Sequence, residues 1–298
     1  MKKAKIPETY HGMKRNAPLL RPYEKARFQV IFVICTAFCL VFTFLPLFIT
    51  VLNSMKTEEQ VAANIFAFPR WNTMFPAIGK NFSSAWKEIG SFFLKTVAVS
   101  LVGAFFEVLI GALLAYILTF KEFYFKKAVF LFFIAILLVP SIIGYPMLVP
   151  LIRDKFGLGD TYIGYLLPMI GGSQVGGMFL FRTFFSQQPK SLYESAQIAG
   201  ANDFQVFTRI TVPLGLSILL YAFLGDFSGI YSEYVWASLI LDSNITLMTK
   251  MFALVDNKTI EYGAMYAMYI IASVPCIVTT IISMRYFKSG EFASGMKL

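Results

Sequence analysis

Six apolar runs, each long enough to cross a lipid bilayer, limit what this chain can fold into. They lie at about 28–52, 93–119, 128–151, 161–181, 215–241 and 263–287. About 20 predominantly apolar residues span the hydrocarbon core as a helix. Inside lipid every backbone polar group must be satisfied by the segment itself or by a closed barrel, and runs this long and unalternating are helical. With 57% hydrophobic and 14% charged residues, the chain cannot hide its apolar surface in a soluble core. The expected fold class is an all-α membrane protein with six transmembrane helices. The first run is too long for a signal core and lacks a small-residue cleavage site, so it reads as a retained span.

The charges give the orientation. With Arg285 at the end of the last run included, the segments on the side of the two termini hold 17 lysines and arginines against 6 acids, whereas the other side holds 8 against 8. Basic excess marks the cytoplasm, so both termini are expected inside the cell. The net charge of +9 is thus accounted for by topology, and nucleic acid is not a partner. The domain layout is a basic cytoplasmic tail at 1–27, a six-helix region at 28–287 with a cytoplasmic loop at 182–213, and a cytoplasmic tail at 288–298. The segment 53–92, which carries Trp71 and Trp86, reads as a mixed loop.

Several chemistries are excluded. Cys35, Cys39 and Cys276 all sit in apolar runs and read as buried small hydrophobes rather than disulfide or metal ligands. His11 is the only histidine, so neither a zinc centre nor a serine–histidine triad is expected. No phosphate-binding G-x-x-x-x-G-K-[ST] loop occurs, so this chain binds no ATP alone. Gly171-Gly172-Ser173-Gln174 faintly resembles a nucleotide-site signature but lies in an apolar span.

One soluble-looking stretch interrupts the second half: Ser191–Leu214, SLYESAQIAGANDFQVFTRITVPL. It reads as two short helices joined at Gly200. Ser191 with Glu194, and Asn202 with Gln205, have capping-box spacing. Gly200 tolerates the left-handed backbone of a helix stop, and Pro213 closes the unit. Local physics leaves two readings open, an ordinary capped hairpin or a knob seated in another protein.

The stretch resembles the EAA loop of binding-protein-dependent ABC importers, whose pattern is E-A-A-x-x-x-G followed by I-x-L-P. Here it stands as Glu194, Ser195, Ala196, Gly200, then Ile210 to Pro213, with Ser195 for the first alanine and Val212 for the leucine. Flanking residues from Phe181-Arg182 to Pro189-Lys190, the tripeptide Ala199-Gly200-Ala201 and the ending from Arg285 to Met296 are similar to the carbohydrate branch, in particular to the smaller maltose-type permease subunit. The resemblance covers about 90–298.

That resemblance implies a permease subunit, not an enzyme, of an ATP-driven importer for a sugar or oligosaccharide in a bacterial cytoplasmic membrane. It implies a coupling hairpin between the fourth and fifth helices, with Glu194, Ser195, Ala196, Ala199, Gly200, Ala201, Phe204, Phe207 and Pro213 meeting the ATPase. Small side chains there permit close approach, and Phe204 and Phe207 are expected to anchor in the partner. The C-terminal tail, through Gly295 and Lys297, is expected to reach the ATPase too. The implied partners are a second permease subunit as a heterodimer, a dimer of ATPase subunits holding ATP and magnesium, a solute-binding protein outside, and lipid. This chain binds no cofactor itself.

Ionisable groups inside spans are costly and usually face an interior path. Glu107, Asp226 and Glu233 are the three acids inside the runs. Asp226 and Glu233 lie seven residues apart and share a face if their helix is continuous. With Gln174, Tyr231 and Trp236 they are the candidate path residues, since carboxylates accept from sugar hydroxyls and aromatic faces stack on sugar rings; aromatic core packing is the competing reading. Gly172 and Gly176 fit close helix packing. Pro140 and Pro146 are placed to break the third span near its outer end. Within the importer class the alternatives are a glycerol phosphate or a polyamine. From another class, a stand-alone secondary transporter would carry inverted repeats, which the sequence does not show.

Overall fold

The computed structural model describes residues 22–288, with side chains over 28–284. Among the described residues all regular structure is helical. Four helices are long and apolar enough to cross a membrane, or up to six if each of two bent pairs counts as one span. Gly295 and Lys297 lie outside the described residues, as do most of the two tails.

Helix α1 (Pro22–Ser54) falls largely in a unit of its own that ends at Thr50. From Phe28 to Leu47 its residues are apolar on almost every side, the composition of a membrane-spanning helix.

The second unit is built on α3 (Trp71–Phe120), a single helix of 50 residues and about 75 Å. The segment 71–92, read from sequence as loop, is its first part. Its inward stripe of Ala77, Asn81, Ala85 and Ile89 repeats every fourth residue, and Thr96, Ser100, Gly103, Ala104, Glu107, Gly111 and Ala115 continue it. Small residues on one face let neighbours come close. That face packs against α6 (Tyr162–Phe185), α10 (Leu216–Ser232), α12 (Leu247–Asp256) and α13 (Tyr262–Lys288). Gly111 is where backbones meet: a Cβ there would lie 3.2 Å from the Gln174 carbonyl oxygen and 3.3 Å from the Met178 nitrogen.

Two spans are bent. Helix α4 (Lys126–Leu137) meets the segment Ser141–Lys155, which contains α5 (Tyr145–Pro150), at 91°. Pro140 disfavours helical geometry at Val139, so the turn falls where the prolines begin. The second bend, 80°, lies at Gly215 between Asp203–Leu214 and α10. The first of these segments comprises α8 (Asp203–Val206), a π turn at Phe207–Thr211 and α9 (Val212–Leu214).

The expected continuous helix through Asp226 and Glu233 does not form. Helix α10 ends at Ser232, Glu233 is extended at φ −68° and ψ 121°, and α11 (Val235–Ile240) starts anew. The Glu233 carboxylate accepts the Trp236 N–H at 2.8 Å. It satisfies one of the orphan donors that every helix start exposes.

Two polar latches join the connecting segments at the far end from Phe120. Asp160 accepts backbone N–H groups of Asp242, Ser243 and Asn244 at 2.9–3.0 Å, and the Ser243 hydroxyl as well. These bonds, led by the Ser243 hydroxyl and the Asn244 N–H, pull the Asp160 carboxyl down to about 2. In the other latch, Lys56 is 1% exposed and donates to Asn53 Oδ1, the Asn64 carbonyl and the Ile65 carbonyl at 3.0–3.1 Å. Burial lowers its pKa from the ordinary lysine value. Asn81 Nδ2 donates to the Ser54 and Lys56 carbonyls at 2.8 and 2.9 Å, which fastens this segment to α3.

Candidate functional site

The stretch singled out in the sequence forms a helical knob. Helix α7 (Lys190–Ile198) ends as Gly200 takes φ +83°, and α8 follows. The Asn202–Gln205 capping box is complete: Asn202 Oδ1 accepts the Gln205 N–H and Gln205 Oε1 accepts the Asn202 N–H, both at 2.9 Å. The expected Ser191–Glu194 box is absent. Pro189 occupies the N-cap, so Ser191 is already inside the helix with no side-chain cap to make.

The knob is mounted on the end of α3. Tyr193 is 6% exposed and its ring stacks on Phe120 with centroids 3.9 Å apart. Its hydroxyl donates to Gln188. Lys121 pairs with Asp203. Phe207, expected to anchor in a partner, is 4% exposed and packs edge-on against Tyr116 at 5.5 Å. It is used internally because a phenyl ring of the π turn has α3 beside it.

The outward face holds the remaining residues of the motif. Glu194, Ser195, Ala199, Gly200 and Pro213 are exposed, and Ala196 and Ala201 are half-buried. Phe204 is 72% exposed, and Ile198, which the motif reading did not select, is 88% exposed. A shallow groove of about 510 Å³ between Leu192, Ser195, Ala196, Arg209, Ile210, Pro213 and Leu214 runs along this face. The groove is shallow and mostly apolar, and the knob behind it is backed by the end of α3.

The candidate path residues separate into three groups. Glu107 (2% exposed) lies with its Oε1 2.6 Å from the Ser173 hydroxyl of α6, and that hydroxyl is also 2.5 Å from the Met169 carbonyl. Asp226, half-buried on α10, is close enough to interact with Glu107 electrostatically. Tyr231 and Trp236 are core residues, 2% and 1% exposed. The Tyr231 hydroxyl donates to the Ala272 carbonyl and the Trp236 indole N–H to the Tyr165 carbonyl, both at 2.9 Å. Their polar atoms are therefore spent on the backbone. Gln174 donates to the Gly171 carbonyl at 3.1 Å, while its Oε1 is buried without a protein partner. Among the described residues Gly172 and Gly176 mediate no close helix packing: a Cβ on either would have nothing within 4 Å.

Glu233 belongs to the third group. With Trp236 it borders a cavity of about 590 Å³ under the α4–α5 bend, lined also by Pro140, Ser141, Gly144, Tyr145, Met169 and Ser173. The Tyr145 ring tilts against Trp236 at 5.1 Å. Tyr145 and Ser141 were not identified from sequence; the prolines that bend the span were the available signal. Among the described residues no group of three or more metal-ligating side chains occurs.

Comparison with known proteins gives a consistent result. Residues 107–290 match the family described as binding-protein-dependent transport system inner membrane component. The chain is 27% identical to an inner membrane ABC transporter permease protein, YcjP, of Escherichia coli, over 88% of this chain and 94% of that one. It is 26% identical to the diacetylchitobiose uptake system permease protein NgcG of Streptomyces coelicolor, over 82% and 81%. To the lactose transport system permease protein LacG of Rhizobium radiobacter it is 26% identical, over 87% and 92%. A solved bacterial ABC transporter for import of the acidic polysaccharide alginate has the same fold, at TM-score 0.73 and 17% identity over 91% of this chain and 100% of that one.

Proposed function

The chain belongs to the family of binding-protein-dependent transport system inner membrane components, and from that premise we propose that it is a permease subunit of an ATP-driven importer for a sugar or oligosaccharide. Its relatives supply the substrate class, since their names specify diacetylchitobiose and lactose uptake.

The proposed architecture has six spans, the bent pair Lys126–Lys155 serving as the third and α10 as the fifth, and the charge excess argues for both termini and the α7–α8 knob, with the rest of the arm before Gly215, on the cytoplasmic side. The chain is one half of the path, completed by a second permease subunit. A separate ATPase dimer, with its own ATP and magnesium, closes on nucleotide and pushes on the knob. A solute-binding protein delivers the sugar from outside. The C-terminal tail, through Gly295 and Lys297, is a second contact to the ATPase.

The observation that supports this mechanism best is the division of the knob into two faces. Tyr193, Phe207 and Asp203 fix it to the end of α3, while Ile198 and Phe204 are left 88% and 72% exposed. A knob fastened in this way transmits displacement into α3, and α3 contacts α6, α10, α12 and α13. Alternating access then follows as a rigid-body rearrangement of helices.

The test is purification of the tagged full chain from its own membrane. ATPase subunits and a second permease are expected with it, together with ATP-dependent uptake of a neutral oligosaccharide once the binding protein is added. Isolation as a lone chain whose uptake needs no ATP would support a secondary transporter instead.

A further inference from the structure

The cavity under the α4–α5 bend has a distinct electrical character. Its polar groups are the Ser141 and Ser173 hydroxyls, the Tyr145 side chain and the Glu233 carboxylate, and among the described residues no lysine, arginine or histidine lines it. Glu233 is held in place, since its Oε1 accepts the Trp236 N–H at 2.8 Å. Behind Ser173 stands a second carboxyl, Glu107, 2.6 Å from the serine oxygen. The rest of the lining is carbon: Leu137, Val139, Pro140, Leu148, Pro168 and Met169 among others. At about 590 Å³ the cavity falls within the range of about 300–1,000 Å³ of small-molecule sites.

A solute with apolar faces and a hydroxyl edge suits such walls. The Tyr145 ring and the aliphatic lining cover the C–H faces, while the carboxylate and the serine oxygens accept from hydroxyls. An acidic sugar of the same shape would bring a second negative charge toward Glu233 with no cation among the described lining residues to offset it, and like charges a few ångströms apart repel. We propose that this cavity is a charge-selective subsite that takes one neutral sugar ring and rejects acidic sugars, with Glu233 as the discriminating residue. This rests on the reading of the chain as a sugar-importer permease.

The experiment uses the complete permease–ATPase complex in lipid nanodiscs. First, with the binding protein added in proteoliposomes, neutral di- to tetrasaccharides are screened for ATP-dependent uptake, and the transported one becomes the probe. If none is taken up, the reading as a sugar importer fails, and with it this one. Next, without the binding protein, Ser141→Cys is introduced with Cys35, Cys39 and Cys276 changed to serine, and its reaction with a maleimide is timed. The neutral probe is expected to slow labelling about fivefold or more, and the uronic-acid oligosaccharide of equal length to need a concentration about tenfold higher. Glu233→Gln, whose amide oxygen still accepts the Trp236 N–H, should narrow that gap. Gly172→Lys, on the cavity wall and where a side chain has open space, should close or reverse it. No protection by the neutral probe, equal protection by the acidic one, protection by spermidine instead, or an unchanged gap in Glu233→Gln would each overturn the proposal.

Discussion

The ring of Phe120, the last residue of α3, lies on the ring of Tyr193 in α7, with centroids 3.9 Å apart and planes 26° from parallel. This contact ties the knob to the helix around which the second unit is built. Tyr193→Ala removes a buried aromatic, a change that costs about 3 kcal/mol or more. The expected outcome is a complex that still hydrolyses ATP but transports less sugar per ATP, measured as the ratio of uptake to phosphate release. Tyr193→Phe, which keeps the stack, should retain most of that ratio.

The Asn202–Gln205 box gives a smaller, local prediction. Asn202→Ala leaves the Gln205 N–H without its cap, at a cost of about 1 kcal/mol. Faster amide exchange confined to 202–206, with the rest of the chain unchanged, is the expected result by mass spectrometry.

Gly111 predicts a failure of a different kind. Its absent Cβ is what lets α3 approach the backbone of α6 at Gln174 and Met178, and backbone atoms cannot move aside as a side-chain tip can. Gly111→Leu should destabilise the fold by about 1–3 kcal/mol or more through overpacking. It is read as a lower melting temperature in detergent, whereas Gly176→Ala, with open space around its Cβ, should melt like the parent.

Asp160 predicts a pH effect with a definite sign. Its carboxyl is held at about 2 in the folded chain, first by the Ser243 hydroxyl and next by the Asn244 N–H, against roughly 3.9 for a free aspartate. The latch therefore contributes its full stabilisation above about pH 4 and loses it as the pH falls toward 2. Asp160→Asn should lower the melting temperature at pH 7, and the difference from the parent should shrink as the pH is lowered from 4 to 2.

The sequence made local features visible and long-range ones invisible. Long apolar runs announced the spans because the bilayer imposes their length. The Gly200 stop and the Asn202 box involve neighbours within three residues. The first part of α3 was missed through its mixed composition, although Ala77, Asn81, Ala85 and Ile89 carry a four-residue spacing that marks one helix face. Glu233 left the face of Asp226 because its carboxylate was captured by the Trp236 N–H, a bond that competes with helix continuation. The partner of Asp160 lies more than 80 residues away, and no local pattern signals it. Phe207 was assigned outward because its residue type fits an anchor equally well on either side; only the position of Tyr116 decides.

Entry of the force of ATP hydrolysis through the outward face of the knob is the central proposal. The most direct measurement is ATP-driven uptake of the transported sugar by proteoliposomes in which Ile198 and Phe204 are both changed to aspartate. Neither side chain is needed inside the fold, at 88% and 72% exposed, so the chain should insert and melt as the parent does. The predicted result is loss of ATP-driven uptake together with weakened retention of the ATPase subunits. Undiminished ATP-driven uptake with the ATPase still bound would contradict it.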